Sequence, residues 1–281
     1  MKTKNLRTLL GTTAACLLGG ISTFGATTDP VGAVNLTVPV GTTILSAPFL
    51  TAVEFQANVD SVSSSDVGFA STVPTLSGPH YLHALTGTDA GRIFTIDSQA
   101  ASSVTLVDVP AGLAPGDTVA IRRYLTVNDL GSVPNGTTVT LLNPGASPTV
   151  ATFFFGSWSP SGDIFIAPGE GFVINTGTAF DLVLYGSVSV NDVIFEADAG
   201  SSIVGNLDPV DGTDDVLAAL LSSAPNGTTI TELVSGSPNV YTLFFGSWTP
   251  DPASIDITNL RTIVVNSGSD LDIVNTGIVV P

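Results

Sequence analysis

A segment that occurs twice constrains this chain more than any other feature of its sequence. Residues 134–158 read PNGTTVTLLNPGASPTVATFFFGSW, and residues 225–248 read PNGTTITELVSGSPNVYTLFFGSW. The similarity continues past the tryptophans, where VINTGTAFDLVLYGSVSV from residue 173 matches VVNSGSDLDIVNTGIVVP from residue 264. Because the offset between the matching segments stays at 90 or 91 residues, the sequence predicts two copies of one folding unit.

The residue pattern inside and around these copies is typical of short strands joined by tight turns. Runs rich in Val, Thr and Ile alternate with turn residues, and the chain has 29 Gly and 18 Pro. We therefore predict an all-β fold of β-sandwich or barrel-like units, with one short helix at Asp214–Leu221. The predicted organisation is a signal peptide (1–26), an N-terminal β domain (27–128), copy one (129–199) and copy two (200–281).

Strand predictions in the N-terminal region rest on apolar runs between turns. They cover 34–40, 43–50, 81–85, 92–96, 103–107 and 118–122, whereas the Ser-, Val- and Asp-rich segment 56–77 is interpreted mainly as a loop, with one strand as an open alternative. A short helical turn is predicted at 125–130. TILSAPF (43–49) precedes copy one as SIVGNLDP (202–209) precedes copy two. This suggests that each copy opens with an apolar strand and that 78–123 is an insertion in copy one.

The N-terminus has the pattern of a secretory signal peptide. Lys2, Lys4 and Arg7 precede an apolar run over 9–21 and small residues over 22–28. We expect cleavage near residue 25 or 26, a secreted or cell-envelope location, and no membrane span after cleavage. A retained anchor and a lipoprotein attached at Cys16 are the alternatives. Cys16 is the only cysteine, so no disulfide is expected in the rest of the chain.

Charge excludes whole classes of partner. Without the predicted signal peptide, the chain has four arginines, no lysine and 24 Asp and Glu residues, which give a net charge of −20. Such a chain repels nucleic acid and anionic lipid, so neither is expected as a partner. Solubility by self-repulsion is the interpretation we favour, and binding of divalent cations by clustered Asp is the alternative.

Four short motifs resemble a family of secreted bacterial β-rich proteins. They are DPVG (29–32), the PHYL…GR-F-I hairpin (79–96), the GDT box (116–121) and the GEGF turn (169–172). They occur in this order over most of the chain. The resemblance implies export and an all-β fold, and it brings no activity and no catalytic residue.

Two clusters raise the question of a metal site. Asp208, Asp211, Asp214 and Asp215 are calcium-type ligands, but they lack the EF-hand spacing, and turn or helix N-cap positions explain them as well. Binding of a structural calcium ion therefore stays an open alternative, both at these four aspartates and at the acidic segment 191–198. Calcium is the one cofactor that we consider. His80 and His83 lie three apart in a predicted strand, so they face opposite sides, and one is expected to cap the turn at Gly78–Pro79.

Catalytic patterns are weak, and we predict that the chain is not an enzyme. The GEGF turn lacks the following helix and the lysine of a phosphate loop, so we interpret it as a β-turn. No serine elbow occurs, and neither histidine has an evident carboxylate beside it in the sequence. A secreted hydrolase is the third-ranked hypothesis. Its paired catalytic carboxylates would include Glu54 and Glu196, which lie in plausible strands.

Trp158 and Trp248 end the two repeated segments. Both follow a Phe-rich strand, which favours core positions, while stacking on a carbohydrate is the alternative role. The run Phe153–Phe155 predicts a strand that is covered on both faces or presents an aromatic ring outward for association. Our leading hypothesis is a secreted, non-catalytic structural or cell-surface protein that associates with itself or with envelope polysaccharide. A carbohydrate-binding module using Trp158 and Trp248 is second.

Overall fold

The computed structural model describes residues 30–207, 220, 222–232, 238–252, 255 and 262–275. Nearly all regular elements in this part of the chain are strands, which confirms the predicted all-β class. The predicted helix at Asp214–Leu221 lies mostly outside the described residues, although Leu220, Ser222 and Ser223 are helical.

The N-terminal region contains two strands followed by a barrel. Strands β1 (Val31–Val38) and β2 (Gly41–Ser46) confirm the first two predicted strands. Six strands then close into a barrel in the order β3-β4-β7-β6-β5-β8, and the four strands predicted between residues 81 and 122 are confirmed as β5 to β8. The six are β3 (Val53–Ser63), β4 (Asp66–Phe69), β5 (His80–Ala84), β6 (Ile93–Ala100), β7 (Ser103–Leu106) and β8 (Thr118–Arg123).

The interpretation of 56–77 as mainly a loop is wrong, because most of β3 and all of β4 lie there. Polar residues in β3 hide a period-two pattern in which Phe55, Ala57 and Val59 pack into the barrel core. The strand pairs with β8 along one part and with β4 along the other. Its backbone groups are therefore satisfied by barrel closure, which no local sequence pattern reveals.

Copy one follows the barrel. A 3₁₀ helix at Val127–Leu130 confirms the predicted helical turn. A five-stranded sheet has the order β12-β11-β10-β14-β2, and β15 pairs with β1. The strands are β9 (Leu125–Thr126), β10 (Thr138–Leu141), β11 (Thr149–Phe154), β12 (Ser157–Ser159), β13 (Phe165–Ile166), β14 (Gly171–Thr176) and β15 (Phe180–Ser187).

Copy two repeats this arrangement. Its five-stranded sheet has the order β20-β19-β18-β21-β17, and its first strand pairs with its last as β16-β22. In each copy the side chains of both sheets share one apolar core. The strands are β16 (Val193–Ala197), β17 (Gly200–Gly205), β18 (Thr229–Glu232), β19 (Asn239–Phe244), β20 (Ser247–Thr249), β21 (Thr262–Ser267) and β22 (Leu271–Asn275).

The matching topology extends each copy towards the N-terminus. Strand β2 occupies in copy one the position that β17 occupies in copy two, which confirms that an apolar strand precedes each repeated segment. The insertion in copy one is longer than the predicted 78–123, because the barrel begins with β3 at Val53. Strand pairing crosses both predicted domain boundaries. Strands β1 and β2, before residue 128, pair with strands of copy one, and β16, before residue 199, pairs with β22 of copy two. The division into domains at residues 128 and 199 itself stays a prediction.

The two copies touch where β14 begins. The backbone N–H of Gly205 donates to the carbonyl of Gly169 at 2.9 Å, and Glu170 bridges to Val204. A Cβ on Gly171 would lie 2.3 Å from Ile203 Cγ2, so only glycine permits this approach. This contact sets the GEGF turn against copy two.

Candidate functional site

Each copy carries a hairpin whose two-residue turn is phenylalanine followed by glycine. Between β11 and β12 these residues are Phe155, with φ of +49°, and Gly156, with φ of +86°. Between β19 and β20 they are Phe245, with φ of +48°, and Gly246, with φ of +76°. Two positive φ values define a type I′ turn, in which asparagine and glycine are the favoured residues. Phenylalanine in this conformation is an outlier.

The phenylalanine rings at these turns lie in solvent. Phe155 is 95% exposed and Phe245 is 97% exposed, while the preceding Phe154 and Phe244 are about half exposed. We call the segments 154–157 and 244–247 the Phe tips. Of the two interpretations of the Phe run, the one with an aromatic ring facing outward is confirmed.

The PNGTT segments hold the Phe tips in place. Asn135 Oδ1 accepts the backbone N–H of Phe155 at 3.0 Å. Asn226 Oδ1 accepts the backbone N–H of Gly246 at 2.9 Å in copy two. The two sequence motifs that recur together, PNGTT and FFGSW, are therefore one structural unit with its Phe tip as the exposed end.

The two tryptophans lie behind the Phe tips with unequal burial. Trp158 is 8% exposed and contacts Phe153 edge to face, with ring centroids 5.2 Å apart. Trp248 is partly buried against the core of copy two. Carbohydrate stacking requires an exposed ring face, and Trp158 does not offer one.

A cleft of about 820 Å³ opens where the barrel, copy one and copy two meet. The barrel contributes β6 and the segment after β7, copy one contributes β13 and the GEGF turn, and copy two contributes β16 and β17. The volume falls in the usual range of small-ligand sites. Four carboxyl groups line this cleft: Asp108, Glu170, Glu196 and Asp198.

Glu170 enters the cleft from a tight turn. The turn runs from Ala167 to Glu170 and is closed by a 2.9 Å backbone hydrogen bond, with Pro168 second and Gly169 at φ of +79°. This is the type II pattern, so the predicted β-turn is confirmed. The N–H of Ala167 donates to Glu170 Oε2 at 2.8 Å. Burial nevertheless raises the pKa of Glu170 to about 7, because the ionised form is poorly solvated there.

Glu196 lies on β16, at the more accessible side of the cleft. Partial burial, followed by repulsion from Asp272 and Asp270, raises its pKa, and Arg92 opposes this shift. The guanidinium of Arg92 is itself held by Asp272, with Nη1 2.9 Å from Oδ1. Arg92 therefore offsets the charge of Glu196 only in part.

The cleft can act chemically as an acceptor for cations or as a proton donor. A carboxyl group with a pKa near 7, such as that of Glu170, is partly protonated at neutral pH and can donate or accept a proton there. Glu54, the other glutamate considered for a hydrolase, lies outside the cleft lining, at 2.9 Å from His80 Nε2 on the barrel. Sequence reasoning missed Glu170, and the one signal for it was that the GEGF turn occurs in copy one alone.

The two histidines occupy separate places on β5. His80 Nδ1 lies 2.9 Å from the carbonyl of Gly78, which confirms the predicted turn cap. His83 Nε2 lies 3.0 Å from the carbonyl of Asp192, linking the barrel to copy two. No carboxylate is evident beside either histidine in the sequence, but β3 and β5 both pair with β8, and this arrangement brings Glu54 to His80.

The predicted calcium ligands Asp208, Asp211, Asp214 and Asp215 lie outside the described residues. Among the residues that the structure does describe, no three His, Cys, Asp or Glu side chains are placed to hold one metal ion. In the same ranges we find no helix whose length and hydropathy would allow it to cross a bilayer.

Comparisons with protein-family models, with curated proteins and with solved structures give no match to this chain. The geometry of the Phe tips and of the cleft is therefore the basis for assigning a function.

Proposed function

We propose that this chain is an exported, non-catalytic structural or cell-surface protein that associates with further copies of itself through its Phe tips. The observation that carries the proposal is the fully exposed phenylalanine in left-handed conformation, at Phe155 and again at Phe245. Export follows the N-terminal sequence pattern described above.

The Phe tips are unfavourable for the isolated chain in two ways. A left-handed conformation costs a non-glycine residue about 1–2 kcal/mol. An exposed ring also forgoes the burial energy of roughly 1.5–3 kcal/mol that a packed phenylalanine provides. Local strain that recurs in both copies without an internal gain points to a function outside the chain. Contact with another surface would bury the rings and recover that energy.

A second copy of the same chain suits the Phe tips electrostatically. Without the predicted signal peptide the chain has a net charge of −20, so its acidic surface repels another copy. The segments FFFGSW (153–158) and LFFGSW (243–248) contain no charged residue. Two Phe tips can therefore meet without direct repulsion, and two tips per chain permit extended assembly.

Sedimentation velocity of the chain over a range of concentrations tests the proposal. We expect native protein to associate, and the double variant Phe155→Asn/Phe245→Asn to stay monomeric. Tyr185→Asn is the matched control, because Tyr185 is 74% exposed on β15 and lies outside the Phe tips. A monomeric native protein, or association that persists in the double variant, would contradict the proposal.

Carbohydrate binding through Trp158 and Trp248 is the second hypothesis, and it has less support. Trp158 would need to leave the core of copy one before a sugar ring could stack on it. Contact with envelope polysaccharide would then depend on Trp248 alone.

A further inference from the structure

The two neighbouring strands beside each Phe tip have one side that is the same in both copies and one side that is not. The residues that point away from the core are identical at every matching position of β10 and β18 and of β11 and β19. These outward pairs are Thr138/Thr229, Thr140/Thr231, Val150/Val240, Thr152/Thr242 and Phe154/Phe244. We call these outward sides the sheet faces.

The opposite side of the same strands differs between the copies at every position. The differing pairs are Val139/Ile230, Leu141/Glu232, Thr149/Asn239, Ala151/Tyr241 and Phe153/Leu243. Core packing restricts the size and shape of a side chain, whereas exposed strand positions accept many residues at little cost in stability. Stability alone would therefore keep the inner side similar and let the outer side vary, which is the reverse of what the two copies show.

The identical sheet faces are open to solvent and partly apolar. Val150 and Val240 are 47% and 49% exposed, and Phe154 and Phe244 are 50% and 58% exposed. The threonines between them are partly exposed. An apolar surface that is open, and that occurs unchanged in both copies, indicates contact with a surface outside the chain.

The sheet faces are free of charge although the chain carries 24 acidic residues. Thr138 lies opposite Thr152, and Thr140 lies opposite Val150, with the same pairs in copy two. Residues of this kind build a regular, uncharged strand surface, and such surfaces pack on a second sheet at about 10 Å. Another copy of this acidic chain can approach most closely where both surfaces lack charge.

We propose that each sheet face packs against a sheet face of a second copy, so that a Phe tip and the face beside it form one interface. This inference rests on the self-association proposed for the Phe tips. The two surfaces are continuous, because Phe154 is both the last residue of β11 and the first residue of its Phe tip. When the two β11 strands run antiparallel, Phe155 of one copy covers Val150 of the other. Two sheet faces per chain let each copy contact two others.

Sedimentation velocity of the double variant Val150→Glu/Val240→Glu tests the proposal. Both valines lie towards the end of their strand that is remote from the Phe tip, so the hydrogen bonds that hold the tips are retained. We expect the dissociation constant of the assembly to rise roughly tenfold or more, because a glutamate would be buried without a partner. The matched control is Val31→Glu/Val183→Glu. It adds the same charge at strand positions that are 80% and 51% exposed, outside the sheet faces, and should associate nearly as the native protein does.

The outcomes separate this proposal from the one on which it rests. A native protein that stays monomeric contradicts both. Association that is lost in Phe155→Asn/Phe245→Asn but unchanged in Val150→Glu/Val240→Glu supports the Phe tips and contradicts packing of the sheet faces. Equal weakening in both glutamate double variants also contradicts it, because general repulsion then explains the loss. Retention of a monomeric native chain on insoluble cellulose or chitin would assign the sheet faces to a polysaccharide instead.

A milder substitution keeps the proposal testable if the glutamate variant does not fold. Val150→Thr/Val240→Thr retains the β-branched shape and places threonine where neighbouring outward positions already have it. We expect the dissociation constant to rise roughly threefold, because only apolar contact is lost. Val31→Thr/Val183→Thr is the control. Unchanged association in Val150→Thr/Val240→Thr, or the same loss in its control, would contradict packing of the sheet faces.

Discussion

Copy one and copy two share a strand topology and a Phe tip, but they differ in what lies between their strands. The chain between the second and third strands spans 47–137 in copy one, where it forms the barrel, and only 206–228 in copy two. The two glycines of the GEGF turn in copy one are replaced by Leu260 and Thr262 at the matching positions of copy two. Because the barrel and this turn supply two walls of the cleft, copy two has no equivalent of it among the described residues, whereas both copies carry a Phe tip. The Phe tips therefore belong to the repeated part of the fold, and the cleft belongs to the part that only copy one has.

Replacing the tryptophans should give the largest difference between the copies. Trp158→Ala leaves a cavity in the core of copy one and should lower the free energy of unfolding by about 3–5 kcal/mol. Trp248 is less buried, so Trp248→Ala should lower it by roughly half as much. Chemical denaturation of both variants measures the difference. Equal losses would show that the two tryptophans have equivalent core roles despite their unequal exposure.

The second-largest expected effect is a pH dependence of stability that arises from Glu170, in copy one. The pKa of Glu170 in the folded chain is about 7, above its ordinary value of 4.5. The folded state therefore binds this proton more tightly than the unfolded state does. Protonation of Glu170 therefore contributes fully to the stability of the folded state below pH 4.5. This contribution falls as the pH rises towards 7 and is lost above that. Between these limits native protein should lose roughly 2 kcal/mol relative to Glu170→Gln, which cannot ionise.

Denaturation of native protein and of Glu170→Gln at several pH values checks this prediction. The amide of glutamine retains an acceptor for the N–H of Ala167, so the turn itself should persist. Asp60→Asn, at an exposed position, serves as the control and should follow the native pH dependence. If the curves for native protein and Glu170→Gln run parallel, the carboxyl group is solvated in the folded state and the cleft is wetter than its geometry indicates.

The sequence predicted the repeated parts of the fold better than the assembled ones. Each strand of the FFGSW hairpin has local apolar and turn signals, and these signals occur twice. The interpretation of 56–77 as mainly a loop failed because the polar residues of β3 are stabilised by barrel pairing with partners far away in sequence. The cleft was missed for a related reason. Asp108, Glu170 and Glu196 come from three separate parts of the chain, and only tertiary packing brings them together.

The smallest expected effect concerns the feature that the copies share most closely. Asparagine adopts the left-handed conformation more readily than phenylalanine, and Asn-Gly is the favoured type I′ pair. Phe155→Asn and Phe245→Asn should therefore each raise the free energy of unfolding by about 1 kcal/mol, because almost no buried ring contact is lost. Tyr185→Asn, in the regular strand β15, should give no such gain.

Thermal and chemical denaturation of dilute, monomeric protein would measure these changes, and the outcome decides how the Phe tips are understood. A gain in stability that accompanies loss of association means that the chain retains a strained residue in both copies for the sake of intermolecular contact. A gain in only one copy would restrict that role to one Phe tip, and the assembly would then be limited to pairs. A loss of stability in both would show that the rings pack on their own chain in solution, which would remove the argument for association.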